Sequence, residues 1–314
     1  MDFIAVAKRL LTENMGLLAS ESLLVVYDET TIRIGESVFE AGVALGARAV
    51  ALRIAPLAKN GEEPFPVVAR AMADSDVVVA ATAKSLTHTH ARKNACAQGA
   101  RVATMPGITE DMFFNGPITA DYAKVSELTK RVGRIMTEAR TAELRSGDAV
   151  LKMSVEGRNG VVSDGVYRNK GEGGNLPTGE AYLAPVEGTA EGDVIIDGSF
   201  AGLGVLRSPL RLGFSKGMLV RATGEDAERL VAMLGENPLA RNLAELGVGT
   251  NEKARVTGVI LEDEKIYGSV HIALGSNETF GGSVSAGIHV DEIITRPELL
   301  LDGKVVVSDG KVFA

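Results

Sequence analysis

Leu23-Leu24-Val25-Val26-Tyr27 is an unbroken apolar run, followed by a helical pattern over 33–45 and then a second short run, Ala49-Val50-Ala51-Leu52-Arg53. Strand, helix and strand at that spacing make the βαβ unit of a parallel sheet, whose strands are covered on both faces and so do not alternate. Working outward, the pattern predicts a helix over 4–19 before this unit. After it come a helix from Pro66 to Ala73, a buried strand Val77-Val78-Val79-Ala80, a helix over 89–98 ended by Gly99, a strand Val102-Ala103-Thr104 and a long helix over 119–140. Beyond about residue 145 glycine-rich turns separate alternating strands, as in Asp193-Val194-Ile195-Ile196-Asp197-Gly198 and Lys304-Val305-Val306-Val307-Ser308-Asp309-Gly310. One helix interrupts them, from about Glu225 to Leu234, ended by Gly235 and Pro238. The sequence thus predicts an α/β chain: residues 1–142 form a doubly wound, Rossmann-like parallel-sheet domain, and residues 143–314 a β-rich α+β domain that carries the chemistry.

Composition narrows the function. At 314 residues the chain can bury two cores without staples, and the single cysteine, Cys96, cannot form an internal bridge. The N-terminus Met1-Asp2-Phe3-Ile4-Ala5-Val6-Ala7-Lys8 lacks the basic start and apolar core of a signal peptide, which predicts a reducing, cytoplasmic setting. Apolar runs stop at strand length, so no membrane partner is expected. The net charge of -8 is interspersed, with no Lys/Arg block and no Trp, which argues against nucleic acid. A small peptide or small-molecule substrate remains.

The four histidines fall into two pairs, His88 with His90 and His271 with His289. In Gly287-Ile288-His289-Val290-Asp291 the H-x-D spacing puts both polar side chains on one face of a strand. Taken alone, the triplet also fits a solvated surface strand. His271, however, sits in apolar text, Val270-His271-Ile272-Ala273-Leu274, and a buried imidazole needs a partner that a metal can supply. Two histidines and a carboxylate are the minimum open set for a catalytic zinc or a non-haem iron(II). Glu180, in Pro177-Thr178-Gly179-Glu180, and Glu245, in Leu243-Ala244-Glu245-Leu246-Gly247, interrupt uncharged text and are further candidate ligands that favour a second metal. No H-E-x-x-H, nucleophile elbow or Walker loop occurs.

Taken together, Asn175-Leu176-Pro177-x-x-Glu180, Ala244-Glu245-Leu246-Gly247, Val270-His271-Ile272-Ala273-Leu274-Gly275 and His289-Val290-Asp291 resemble, in order, the blocks of the aminopeptidase T family of metallopeptidases. The resemblance implies a homodimeric metallo-aminopeptidase whose two zinc or cobalt ions are held by Glu180, Glu245, His271, His289 and Asp291. Under that reading a metal-activated water attacks the scissile carbonyl, and Glu180 or Glu278 serves as catalytic base. Glu278 stands where the family's peptidases carry tyrosine, and the span from His271 to His289 is compressed, both departures from the pattern. The C-terminal half is also similar to the 2,5-dihydroxypyridine dioxygenases, which implies the alternative: one iron(II) on His271, His289 and Asp291, with Glu180 and Glu245 orienting ligands or moving protons. A third reading is a non-catalytic binding protein on the same scaffold.

Three further features have bland readings. In Thr87-His88-Thr89-His90, Thr87 or Thr89 caps the following helix and the histidines are solvated. The turn Tyr27-Asp28-Glu29-Thr30-Thr31-Ile32 has two acids and no glycine, which would repel a pyrophosphate, and Cys96 reads as a buried filler. Gly171-Glu172-Gly173-Gly174 reads either as a flexible loop over the site or as a plain turn.

Overall fold

The computed structural model describes residues 2–314, which divide into two compact units. The first comprises the chain to Ala123 together with Gly165–Thr178, and the second Lys124–Asp164 together with Gly179–Ala314. This differs from a single cut after residue 142, because the chain leaves the first unit and returns to it.

The first unit is built on a parallel sheet in the order Arg48–Arg53, Ser22–Tyr27, Val77–Ala81, Arg101–Thr104 and Gly173–Asn175. Val77–Ala81 is buried at all five residues, as a strand covered on both faces must be. Helices Ile32–Ala44, Pro66–Ala73 and His90–Ala97 fall where the apolar spacing predicts, and Thr89 caps the last by accepting from Arg92 N at 3.2 Å. Two expectations need correction. The helix over 4–19 runs only through Phe3–Arg9 and a π-helical turn, Leu10–Asn14, before Gly16 takes φ +57°. The glycine-rich 171–174 stretch is not a lid, since Gly173 starts the edge strand beside Val102. A Cβ on Gly173 would come 2.6 Å from the Val102 carbonyl oxygen, so only glycine permits that approach.

The acid in the first strand's turn closes it. Asp28, 1% exposed, accepts from Thr30 N (2.9 Å), Thr30 Oγ1 (2.6 Å) and Ala83 N (2.6 Å). Asp28→Ala would strand these donors, and we expect a loss of about 1–3 kcal/mol in chemical denaturation. A change below roughly 0.5 kcal/mol, within the usual range of surface substitutions, would contradict that role.

The second unit contains an eight-stranded and a seven-stranded sheet. The eight-stranded one alternates as a half-covered sheet should, with Thr141–Ser146 and Ala149–Ser154 burying every second residue. Two of its tight turns, Asp302-Gly303 and Asp309-Gly310, have positive φ at both residues, the type that matches the twist of a two-residue hairpin. The seven-stranded sheet runs Gly204–Val205, Ser199–Phe200, His289–Ile294, Val270–Gly275, Leu243–Gly249, Glu180–Leu183 and Val161–Ser163. Its residues Leu183, Leu246, Val248, Ile272, Leu274, Val290 and Ile294 join Leu144, Leu151, Val194 and Leu212 of the other sheet in one core. Helix Tyr122–Glu138 adds Val132 and Met136. Burying one face of the seven-stranded sheet commits the alternate residues of its strands to the opposite face.

Candidate metal centre

That opposite face collects the polar residues of four adjacent strands. Glu180, Glu245, His271, His289 and Asp291 each occupy the position out of phase with a core residue: Ala181, Leu246, Ile272 and Val290 point the other way. The register brings Gly247 opposite both His271 and Tyr182, and the bare glycine leaves the space that the His271 ring fills. His271 is fully buried, whereas the His289 side chain is 31% exposed and forms the open side.

The five side chains form a continuous set of donor atoms. His271 Nε2 lies 3.2 Å from Glu245 Oε1 and 3.5 Å from Glu180 Oε2. His289 Nε2 lies 3.3 Å from both Glu245 Oε2 and Asp291 Oδ1. Ligands bound to one ion at about 2.0–2.2 Å sit roughly 3–3.5 Å apart, so these spacings suit a coordination shell. The alternative is a purely hydrogen-bonded cluster, but buried Glu180 Oε2 has no hydrogen-bond partner, which leaves an acceptor for a cation. The residues fit a divalent metal.

Electrostatics point the same way. Burial pushes Glu264, next to the cluster, up to about 8 despite Lys265, with Glu180 and Asp291 adding repulsion. Burial pushes His271 down, but its hydrogen bond with Glu245 and the charge of Glu180 outweigh this and raise it to about 9. His289 is likewise raised, since Asp291 and Glu245 overcome its burial. Glu245 is held below the ordinary carboxylate range, because the two histidines overcome its own desolvation.

The remaining candidates lie elsewhere. Glu278 is exposed and accepts from Ser285 Oγ at 2.8 Å, so it is not brought to the cluster and the base role expected of it has no geometric support. The reason is the loop after His271. Asn277 Oδ1 accepts from Val284 N, Asn277 Nδ2 donates to Glu187, and the next residue is turned outward. His90 is exposed at its helix N-terminus, where its backbone N–H donates to Glu63, and Cys96 is half-buried rather than buried. Phe280, Tyr182, Glu264 and Lys265 were not foreseen. Phe280 meets His289 edge-on at 5.8 Å and Tyr182 at 5.4 Å. Lys265, fully buried, donates to Glu180 Oε1 at 2.6 Å and also pairs with Glu264.

The family model described as NicX, 2,5-dihydroxypyridine 5,6-dioxygenase, matches residues 12–314. The structure of 2,5-dihydroxypyridine dioxygenase from Pseudomonas putida KT2440 superposes with a TM-score of 0.84 at 19% identity, covering 99% of this chain and 97% of that one. Wild-type AmpT from Thermus thermophilus superposes with a TM-score of 0.74 at 18% identity, covering 99% of each chain. No curated protein matches the sequence. At these identities the superpositions establish the mixed α/β fold that this chain shares with both structures. Among the described residues no helix is long and apolar enough to cross a membrane.

Proposed function

The chain belongs to the 2,5-dihydroxypyridine 5,6-dioxygenase family, and from that membership we propose that it is a ring-cleaving dioxygenase using one iron(II) held by His271, His289 and Asp291. The observation that carries this reading is the family match across residues 12–314, which takes in every residue of the cluster. Tyr182 and Phe280 add support, because an aromatic wall beside the open histidine suits a flat aromatic substrate. A metallo-aminopeptidase rests on the likeness to AmpT and on the number of carboxylates, and it is the second reading.

His271, His289 and Asp291 would hold the ion, and a set of two histidines and a carboxylate would leave it open to substrate and dioxygen. When bound, the iron supplies the redox chemistry that dioxygen activation requires. The chain's residues do the rest. Glu245 lies against both His271 and His289 and fixes the orientation of their rings. The loop bearing Phe280 is anchored by Glu187, which accepts from Asn277 Nδ2 (3.0 Å) and Ser283 N (2.8 Å) and pairs with Arg158. Phe280→Ala should raise KM about tenfold, the loss of one aromatic contact, while iron content stays unchanged. An unchanged KM in steady-state oxygen uptake would remove Phe280 from the substrate wall.

The reading is tested by oxygen uptake on anaerobically iron-loaded protein with 2,5-dihydroxypyridine and related dihydroxylated rings. Uptake equimolar with ring loss, abolished in His289→Ala and Asp291→Asn together with bound iron, is the expected result. Release of amino acids from aminoacyl substrates by zinc- or cobalt-loaded protein, with no oxygen uptake, would replace this reading with the hydrolase.

A further inference from the structure

Two adjoining sets of donors line the site. Glu180, Glu264 and His271 form one, and Glu245, His289 and Asp291 the other; in each the ligand atoms lie within 4.8 Å of one another. By donor chemistry alone either set could hold an ion, and the pair together could hold two. They differ in what already sits among them. Glu245, His289 and Asp291 pair with one another and with His271. In the first set a cation is in place: Lys265 Nζ contacts Glu180 Oε1 at 2.6 Å and Glu264 Oε1, with its side chain fully buried.

We propose that Lys265 is a built-in cation that occupies the Glu180–Glu264 half of the cluster and thereby limits the centre to one metal ion. The inference rests on the metal-centre reading above and deepens it by naming the residue that sets the number of ions. A divalent ion bridging Glu180 and Glu264 would have to share these carboxylates with the ammonium already between them. It would also face a positive charge inside a dry site, where like charges a few ångströms apart repel strongly. Nor can the ammonium readily step aside, since an unpaired buried charge is costly. The chain anchors it there: Lys265 O accepts from Asn251 N at 2.9 Å, and Lys265 N donates to Glu262 O at 3.0 Å. Glu180 Oε2 is turned toward His271, 3.5 Å from its Nε2, and holds that side of the ring.

The test is metal stoichiometry, independent of turnover. Metal-free protein is equilibrated with Zn²⁺ and, separately, Co²⁺, dialysed, and analysed for bound ion per chain. The expected result is one ion in the wild type, two in Lys265→Met, and one again in Lys265→Met/Glu264→Gln. Two ions in the wild type, or one or fewer in a folded Lys265→Met protein, would overturn the proposal. Should Lys265→Met fail to fold, Glu264→Gln alone decides: an unchanged single ion supports the lysine as occupant, and a lowered count means that Glu264 holds metal. A wild type with one ion but no oxygen uptake would sink the dioxygenase reading and leave this one standing.

Discussion

Replacing Gly247 with alanine is expected to lower metal affinity about 100-fold or more while leaving the protein folded. The backbone of Leu243–Gly249 is fixed by its pairing with Val270–Gly275 on one side and Glu180–Leu183 on the other. A Cβ at 247 would stand 2.0 Å from His271 Nε2 and 2.3 Å from its Cε1, well inside contact distance. The strand cannot retreat without breaking both ladders, so the imidazole must move. His271 is fully buried, and displacement carries its Nε2 away from Glu245 and Glu180, the atoms it must share a metal with. Leu246 and Val248, on the core face, are untouched, so far-ultraviolet circular dichroism should keep its shape, with the melting temperature lowered by the crowding but the fold retained. Affinity is measured by competition with a chromophoric chelator. A value within threefold of wild type would mean that the ring is not held where the structure has it.

The sequence exposes the H-x-D pair and the core-embedded His271 because strand periodicity alone fixes which side chains share a face. It exposes the parallel sheet because strands such as Val77–Ala81, covered on both sides, have no reason to alternate. Glu180 and Glu245 are weaker signals, convincing only as part of an ordered set of motifs. Lys265 and Glu264 are invisible for a physical reason. Glu262-Asp263-Glu264-Lys265 reads as a solvated charge run, yet Glu262, Asp263 and Lys265 are each fully buried. Each is partnered by a residue that no local pattern selects. Glu262 accepts from Arg255, Asp263 accepts from Thr257 and Gly258, and Lys265 reaches 85 residues back to Glu180. The return of Gly165–Thr178 to the first unit is hidden in the same way, because the edge strand it supplies is three residues long and starts with two glycines. Non-local pairing leaves no period to read.

Metal uptake should release protons, and affinity should rise steeply with pH. In the metal-free protein the carboxylates hold His271 up to about 9, so at pH 7 its ring carries a proton, and they raise His289 as well. A ligating imidazole must be neutral, so each ring that binds metal gives up that proton. For His271 alone the apparent affinity climbs about tenfold per pH unit below 9 and flattens above it, and His289 makes the slope steeper. A rise of about tenfold or more between pH 7 and 8 is the expected result. It would be measured by calorimetry in two buffers of different protonation enthalpy, which also counts the protons released. The stability of the metal-free protein should run the other way. A histidine whose folded value lies above its unfolded value of about 6.5 contributes stability that is complete below that pH. The contribution fades as pH rises through about 9, so metal-free protein should denature more easily at pH 9 than at pH 6.5. Uptake at pH 7 without proton release would show that the rings are already neutral, and that Glu245 and Asp291 do not hold them charged.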